Sequence, residues 1–362
     1  MRINGEPTRS IRALPDRSGV VIIDQTKLPH RLEFRVLCTL EDAAEAISVM
    51  QVRGAPLIGA TAAYGVALAL KEDDSETHLD TACARLLATR PTAVNLRWAV
   101  ERMQERLRPL PAGERREAAW NEAAIICEED VAINEAIGRH GLALLKALST
   151  RLGRRLNIMT HCNAGWLATV DWGTALAPVY MAFDAGIPLH VWVSETRPRN
   201  QGAALTAWEL GAHGVPHTVI ADNAAGHLMQ RGEVDVVIVG ADRVSRNGDV
   251  ANKIGTYLKA LAARDNGVPF YVAVPGPTID WRCAEGLSIP IETRPAREVT
   301  HVAGLDETAT VREVRITPAA SAAANPAFDV TPAQLISGLI TERGVLAPQA
   351  AALCQAYPEH HD

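Results

Sequence analysis

The stretch Leu156 to Thr174, LNIMTHCNAGWLATVDWGT, decides how the chain is read. Its first residues, Leu156 to Met159, form a short apolar run of the kind that makes a buried strand, and the run leads directly into Thr160, His161, Cys162, Asn163, Ala164 and Gly165. A thiol is therefore expected at the carboxyl end of a strand. In open α/β sheets ligands bind in the crevice outside those ends, so a polar cluster with a Cys and a Gly stands where chemistry is done. An unreactive buried thiol in an ordinary loop accounts for the same residues equally well, because free Cys is among the most buried residue types.

From Arg155 onward the strand-like runs Leu156 to Met159, Leu189 to Val193, Thr218 to Ile220, Val234 to Val239 and Phe270 to Val274 alternate with helical stretches. The helices are expected over Ala175 to Ala185, Ala203 to Leu210 and Ala224 to Gln230. This alternation predicts a Rossmann-like domain with a parallel, doubly wound sheet over residues 151–362. Near its end, Thr331 and Gln334 make a capping-box pattern with a Pro at the first helical position, which predicts a helix over Ala333 to Glu342 stopped by Gly344.

Residues 1–150 read differently. Val20 to Asp24 and Phe34 to Leu37 are β-like and separated by a turn, an antiparallel pair. Helices follow at Thr39 to Met50, Leu57 to Leu70, Leu79 to Thr89, Val94 to Leu107 and Glu114 to about Leu148, the last with a break expected near Gly138 and Gly141. The fold class is thus α/β, with a mainly helical N-terminal domain carrying a small antiparallel sheet. Between two of those helices, Val52-Arg53-Gly54-Ala55-Pro56 places a Pro in a first turn. Free amides and Arg53 at such a helix start suit a phosphate; a tight turn with a solvated Arg explains the same residues.

Composition narrows the function classes. Of 362 residues, 48% are apolar and 22% charged, ordinary for a globular enzyme, and 36 basic against 42 acidic residues leave a net charge of -6 with no nucleic-acid footprint. The six cysteines form no C-x-x-C pair and no metal-like comb, so they are read as reduced thiols of a cytoplasmic protein. No run approaches about 18 uninterrupted apolar residues, so no membrane span is expected.

The expected strand ends collect unlike chemistry: Cys162; Ser194-Glu195-Thr196-Arg197-Pro198 leading to Gln201-Gly202; Gly240-Ala241-Asp242-Arg243 leading to Asn252-Lys253; and Pro275-Gly276-Pro277-Thr278. Asp242 follows six almost wholly apolar residues, so partial desolvation suits it to general-acid work, unless it simply pairs with Arg243. Glu195 is read first as a partner of Arg197. Lys253 and Arg197 are the candidate phosphate contacts, since an anionic substrate needs local cations in an acidic protein. His161 is read as a satisfied loop histidine.

These residues, in this order, resemble the methylthioribose-1-phosphate isomerases of methionine salvage. The resemblance runs through Val52 to Pro56, Arg90 to Leu96, Thr160 to Asn163 with Gly165, Glu195 to Pro198 with Gln201-Gly202, Gly240 to Arg243, Asn247 to Thr256 and Asn325 to Asp329. It implies a homodimer acting on a small sugar phosphate without metal or organic cofactor, with Cys162 and Asp242 as the catalytic pair. By the same resemblance Arg53, Gly54, Ala55, Arg90, Gln201, Asn252 and Lys253 bind substrate.

The implied reaction explains the pair. A phosphorylated anomeric oxygen blocks ordinary ring opening, so an acid, Asp242, must protonate the ring oxygen before hydrogen moves from C2 to C1, where Cys162 assists. Such intermediates need shielding from water, for which Leu167 and the tryptophans are available. The chain departs from the family pattern at Ala164, Trp166, Asp171-Trp172 and Val274 to Asp280, where the pocket for the 5-substituent is expected to change. Related substrates, 5-deoxyribose 1-phosphate or ribose 1,5-bisphosphate, therefore stay open, as does a non-catalytic module like the regulatory subunits of the translation-initiation exchange factor. A thiol hydrolase built on His161 and Cys162 is disfavoured, because adjacent residues of an extended segment point to opposite sides.

Overall fold

A helix apolar on every side can be stable only inside a protein, and Ala55–Ala69 (APLIGATAAYGVALA) is such a helix. In the computed structural model, which describes residues 1–3 and 5–360, every residue of it but Pro56 is buried. It is α2, and α1 (Leu40–Ser48), α3 (Glu76–Leu87), α4 (Val94–Leu107) and α5 (Arg115–Leu152) pack around it. Thr39 starts α1 with the reciprocal capping box to Asp42 that its sequence announces. The antiparallel pair Val20–Ile23 and Phe34–Leu37 gains a third strand, Ile11–Ala13, too short to be read from alternation.

The expected break in α5 is absent. Its 38 residues run through Gly138 and Gly141, which serve close packing instead: a Cβ at Gly141 would stand 2.3 Å from Pro178 Cγ, and one at Gly138 2.7 Å from Met181 Cε. Both neighbours belong to α6 (Ala177–Asp184), so the glycines let two helices approach.

The second half holds a seven-stranded sheet. Its strands are β1 (Leu156–His161), β2 (Leu189–Ser194), β3 (His217–Ile220), β4 (Val236–Val239), β5 (Phe270–Ala273), β6 (Gly338–Thr341) and β7 (Gly344–Leu346). Their spatial order is β7-β6-β5-β4-β1-β2-β3, parallel throughout except for β7. The fully buried Val-Val-Ile-Val of β4 is what a sheet covered on both faces demands. The chain builds outward from β1 to β3, then returns to lay β4 against β1 and builds the other way. The topological switch point therefore lies between β1 and β4. Helices α7 (Ala207–His213), α8 (Ala224–Gln230) and α9 (Thr256–Asp265) fill the connections.

The predicted helix over Ala333 to Glu342 does not form. One 3-10 turn at Ala333–Leu335 is followed by β6, whose Leu339 and Ile340 are fully buried beside β5. Ser337 N–H donates to the Phe270 carbonyl at 2.7 Å, opening the strand pairing, and Asp249 rather than Thr331 accepts from the Ala333 N–H. Packing into the sheet overrode a correct-looking cap. No helix among the described residues is long and apolar enough to cross a membrane.

Candidate active site

Because the switch point lies between β1 and β4, the residues following those two strands flank one crevice. They are Cys162 and, two residues past Gly240, Asp242. All nine residues expected at the site line this single cleft: Arg53, Gly54, Ala55, Arg90, Cys162, Gln201, Asp242, Asn252 and Lys253.

Cys162 has φ +64°, uncommon for a residue with a side chain and costing about 1–3 kcal/mol. The conformation is held from both sides: the Thr196 hydroxyl accepts from the Cys162 N–H at 2.7 Å, and the Thr206 hydroxyl donates to its carbonyl at 2.7 Å. Burial pushes the thiol up, against the pull of Arg53 and Lys253, so it is protonated at neutral pH. Lys253 is pushed down by its own burial, and its ammonium lies 4.3 Å from the centre of the Phe328 ring.

The helical half supplies the opposite wall. Gly54 precedes α2 with φ +93°, and a Cβ there would stand 2.4 Å from the Ala168 carbonyl oxygen, so only Gly lets this loop approach the sheet edge. The start of α2 has no side-chain cap, and Gly54, Ala55 and Pro56 border the cleft. Arg53 is fixed by Asn163, whose side-chain oxygen and carbonyl both accept from its guanidinium. Two buried polar atoms in the cleft walls, Arg90 Nε and Gln201 Oε1, have no hydrogen-bond partner among the described residues.

Arg199 and Arg294 also line the cleft and were missed in the sequence. Both belong to a chain of ion pairs, Arg90–Glu292–Arg294–Glu298–Arg199, that joins the helical half to the segment before the His301–Leu305 hairpin strand. Burial opposes it, but Arg294 and Arg199 hold Glu298 down to about 2. The only sequence signal was an Arg two places beyond Arg197. Arg197 itself does not line the cleft; its guanidinium donates to the carbonyls of Pro198 and Val299, so the expectation of a phosphate contact there is corrected.

Other local readings change as well. Arg243 pairs with Asp280 at 3.2 Å rather than with Asp242, and Glu195 makes no ion pair with Arg197 among the described residues. His161 also borders the cleft; its Nε2 meets the Ile254 carbonyl at 2.8 Å, and burial, aided by Lys259, pushes the imidazole down, so it is neutral. Trp166 and Leu167 are buried in the core beneath the site, Trp166 against Trp208, and neither they nor Trp172 line the cleft. The apolar lining comes instead from Met50, Ala164, Ala168, Pro275 and Phe328.

Comparison with known proteins agrees with this arrangement. Residues 51–348 match the Initiation factor 2 subunit family. The chain is 65% identical over 361 residues to the methylthioribose-1-phosphate isomerase of Acidiphilium cryptum, covering 99% of this chain and 98% of that protein. It is 63% identical to the enzyme of that name from Rhodospirillum rubrum, covering 99% and 94%. Among solved structures, 5-methylthioribose 1-phosphate isomerase from Pyrococcus horikoshii superposes with TM-score 0.84 at 40% identity, covering 98% of this chain and 97% of that one. A translation initiation factor eIF-2B subunit delta from A. fulgidus gives 0.79 at 40% identity, covering 97% and 100%. Matched by the family model over residues 51–348 and by relatives along its full length, the chain belongs to the Initiation factor 2 subunit family, among the methylthioribose-1-phosphate isomerases.

Proposed function

We propose that the protein converts 5-methylthioribose 1-phosphate to 5-methylthioribulose 1-phosphate, an aldose-to-ketose isomerisation in methionine salvage. The observation that carries this reading is the meeting of Cys162 and Asp242 at the switch point in a cleft lined by Arg53, Arg90 and Lys253. The cations and the open start of α2 receive the 1-phosphate, as a helix N-terminus favours an anion. Gln201 Oε1 and Arg90 Nε supply an acceptor and a donor to the sugar and its phosphate.

Asp242 delivers a proton to the ring oxygen, opening the furanose. The hydrogen then passes from C2 to C1 beside Cys162, whose protonated thiol is a donor toward the charge that develops there. Met50, Ala168, Pro275 and Phe328 keep water from the intermediate. A 5-phosphate in place of the methylthio group fits poorly, because the guanidinium groups of Arg199 and Arg294 are already committed to Glu298 and Glu292.

The test is a coupled assay of purified, chelator-treated protein. Turnover of the methylthio sugar phosphate is expected; no turnover of it alongside turnover of the 5-deoxy or 5-phospho analogue overturns the substrate, and none on all three favours a non-catalytic binding module. A homodimer belongs to the same reading, and sedimentation is expected to give about twice the 38.9 kDa chain mass.

A further inference from the structure

Beneath the cleft lies a carboxylate that the reaction does not use. Glu209, on α7, is fully buried, and three groups donate to it: the Asn163 side-chain amide, the Trp166 N–H at 2.8 Å and the Tyr180 hydroxyl at 2.9 Å. Gly165 leaves room for it, since a Cβ there would stand 2.1 Å from Glu209 Oε2. The π-helical turn Gly202–Thr206 between Gln201 and α7 sets which way this residue faces.

The side-chain amide of Asn163 sits between a carboxyl group and a guanidinium. Its NH2 faces Glu209 and the Thr206 hydroxyl, while its oxygen faces Arg53, whose second guanidinium nitrogen donates to the Asn163 carbonyl at 2.8 Å. An amide turned the other way would set oxygen against the accepting Glu209 oxygens and NH2 against guanidinium donors, so the two neighbours admit one orientation. Without the carboxylate, only the Thr206 hydroxyl, accepting at 3.2 Å, is left on the inner side to hold it.

We propose that Glu209 is a positioning residue which, through the side chain of Asn163, holds the Arg53 guanidinium in place to receive the substrate phosphate. The proposal rests on the placement of the sugar 1-phosphate given above. It extends the site into the core: the anion contact at the surface is aimed by a buried acid two side chains away.

The experiment measures the Kd of inorganic phosphate by calorimetry together with KM and kcat, on full-length protein. Glu209→Gln is expected to raise both Kd and KM about tenfold, the loss of one hydrogen bond to a charged group, with kcat within about threefold. Asn163→Ala should show the same pattern, and adding Glu209→Gln to it should cost nothing further, as for residues acting through one path. Tyr180→Phe, which removes a donor from Glu209 without touching Asn163, should leave the phosphate Kd within about twofold. Should Glu209→Gln not fold, Glu209→Asp, drawn back by one methylene, is expected to weaken phosphate in the same direction. A wild-type Kd in the Glu209 variants, full additivity with Asn163→Ala, an equal loss in Tyr180→Phe, or no phosphate binding by the wild type overturns the proposal. Phosphate binding without turnover of the methylthio sugar rejects the substrate reading alone, and the Kd comparison still decides the role of Glu209.

Discussion

At the scale of single residues, the site depends on groups held in states that water would not give them. Burial holds the Cys162 thiol further from ionisation than water would, and two threonine hydroxyls hold its left-handed backbone. Cys162→Ser and Asp242→Asn are each expected to lower kcat at least about 100-fold with the fold intact, a range typical of lost acid or base function and checked by steady-state kinetics beside circular dichroism. Glu209 carries a stability signature of its own. Burial pushes it up to about 7 from the ordinary 4.5, against its three donors. A folded pKa above the unfolded one means its contribution is complete below about pH 4.5 and is lost as pH rises through about 7. Wild type should therefore lose up to about 3 kcal/mol relative to Glu209→Gln between pH 4.5 and 8. Chemical denaturation across that range reads it, and a pH-independent difference would refute the shift.

At the scale of elements, the sequence was legible wherever local pattern and tertiary demand agreed. The limits of α4 and the strand ends that carry Cys162 and Asp242 followed from apolar runs and breakers. Cys162 and Asp242 meet because strand ends of a parallel sheet share an edge, whereas Arg53, Gly54, Ala55 and Arg90 reach the same cleft from the helical half. What was not legible depended on partners far along the chain. The cap at Thr331 lost to pairing with β5, and the glycines of α5 looked like breaks because nothing nearby shows that α6 fills the space beside them. Trp166 and Trp172 stood out by type, but side-chain direction is set by the fold, and it turns Trp166 into the core. The α5 reading gives a test. Alanine favours helix over glycine, yet Gly141→Ala should destabilise by about 1–3 kcal/mol because Pro178 cannot yield. Gly138→Ala should cost less, because the flexible end of Met181 can move. Equal effects in thermal denaturation would show that the helices separate freely.

At the scale of the whole molecule, a chain of net charge -6 gathers cations around one cleft and ties three of them to glutamates. The remaining attraction for an anionic substrate acts through solvent at the cleft mouth and is screened by salt. KM is therefore expected to rise, and kcat to hold, as ionic strength is raised from about 0.02 to 0.5 M, where the Debye length falls several-fold. Progress curves across a salt series measure this, and a flat KM would place the binding energy in fully enclosed contacts.

The enclosed helix α2 has a consequence for how the cleft can adapt. With neighbours on all sides, it cannot tilt or slide without unpacking α1, α3, α4 and α5 together, so the loop at its start is a fixed datum. Any adjustment to a different sugar tail must then come from the wall opposite. There Glu292 and Glu298 each face two guanidinium groups, so that wall is built of long side chains rather than of a packed helix. On the proposed reading, the phosphate meets the wall that cannot move and the variable end of the sugar meets the wall built on ion pairs.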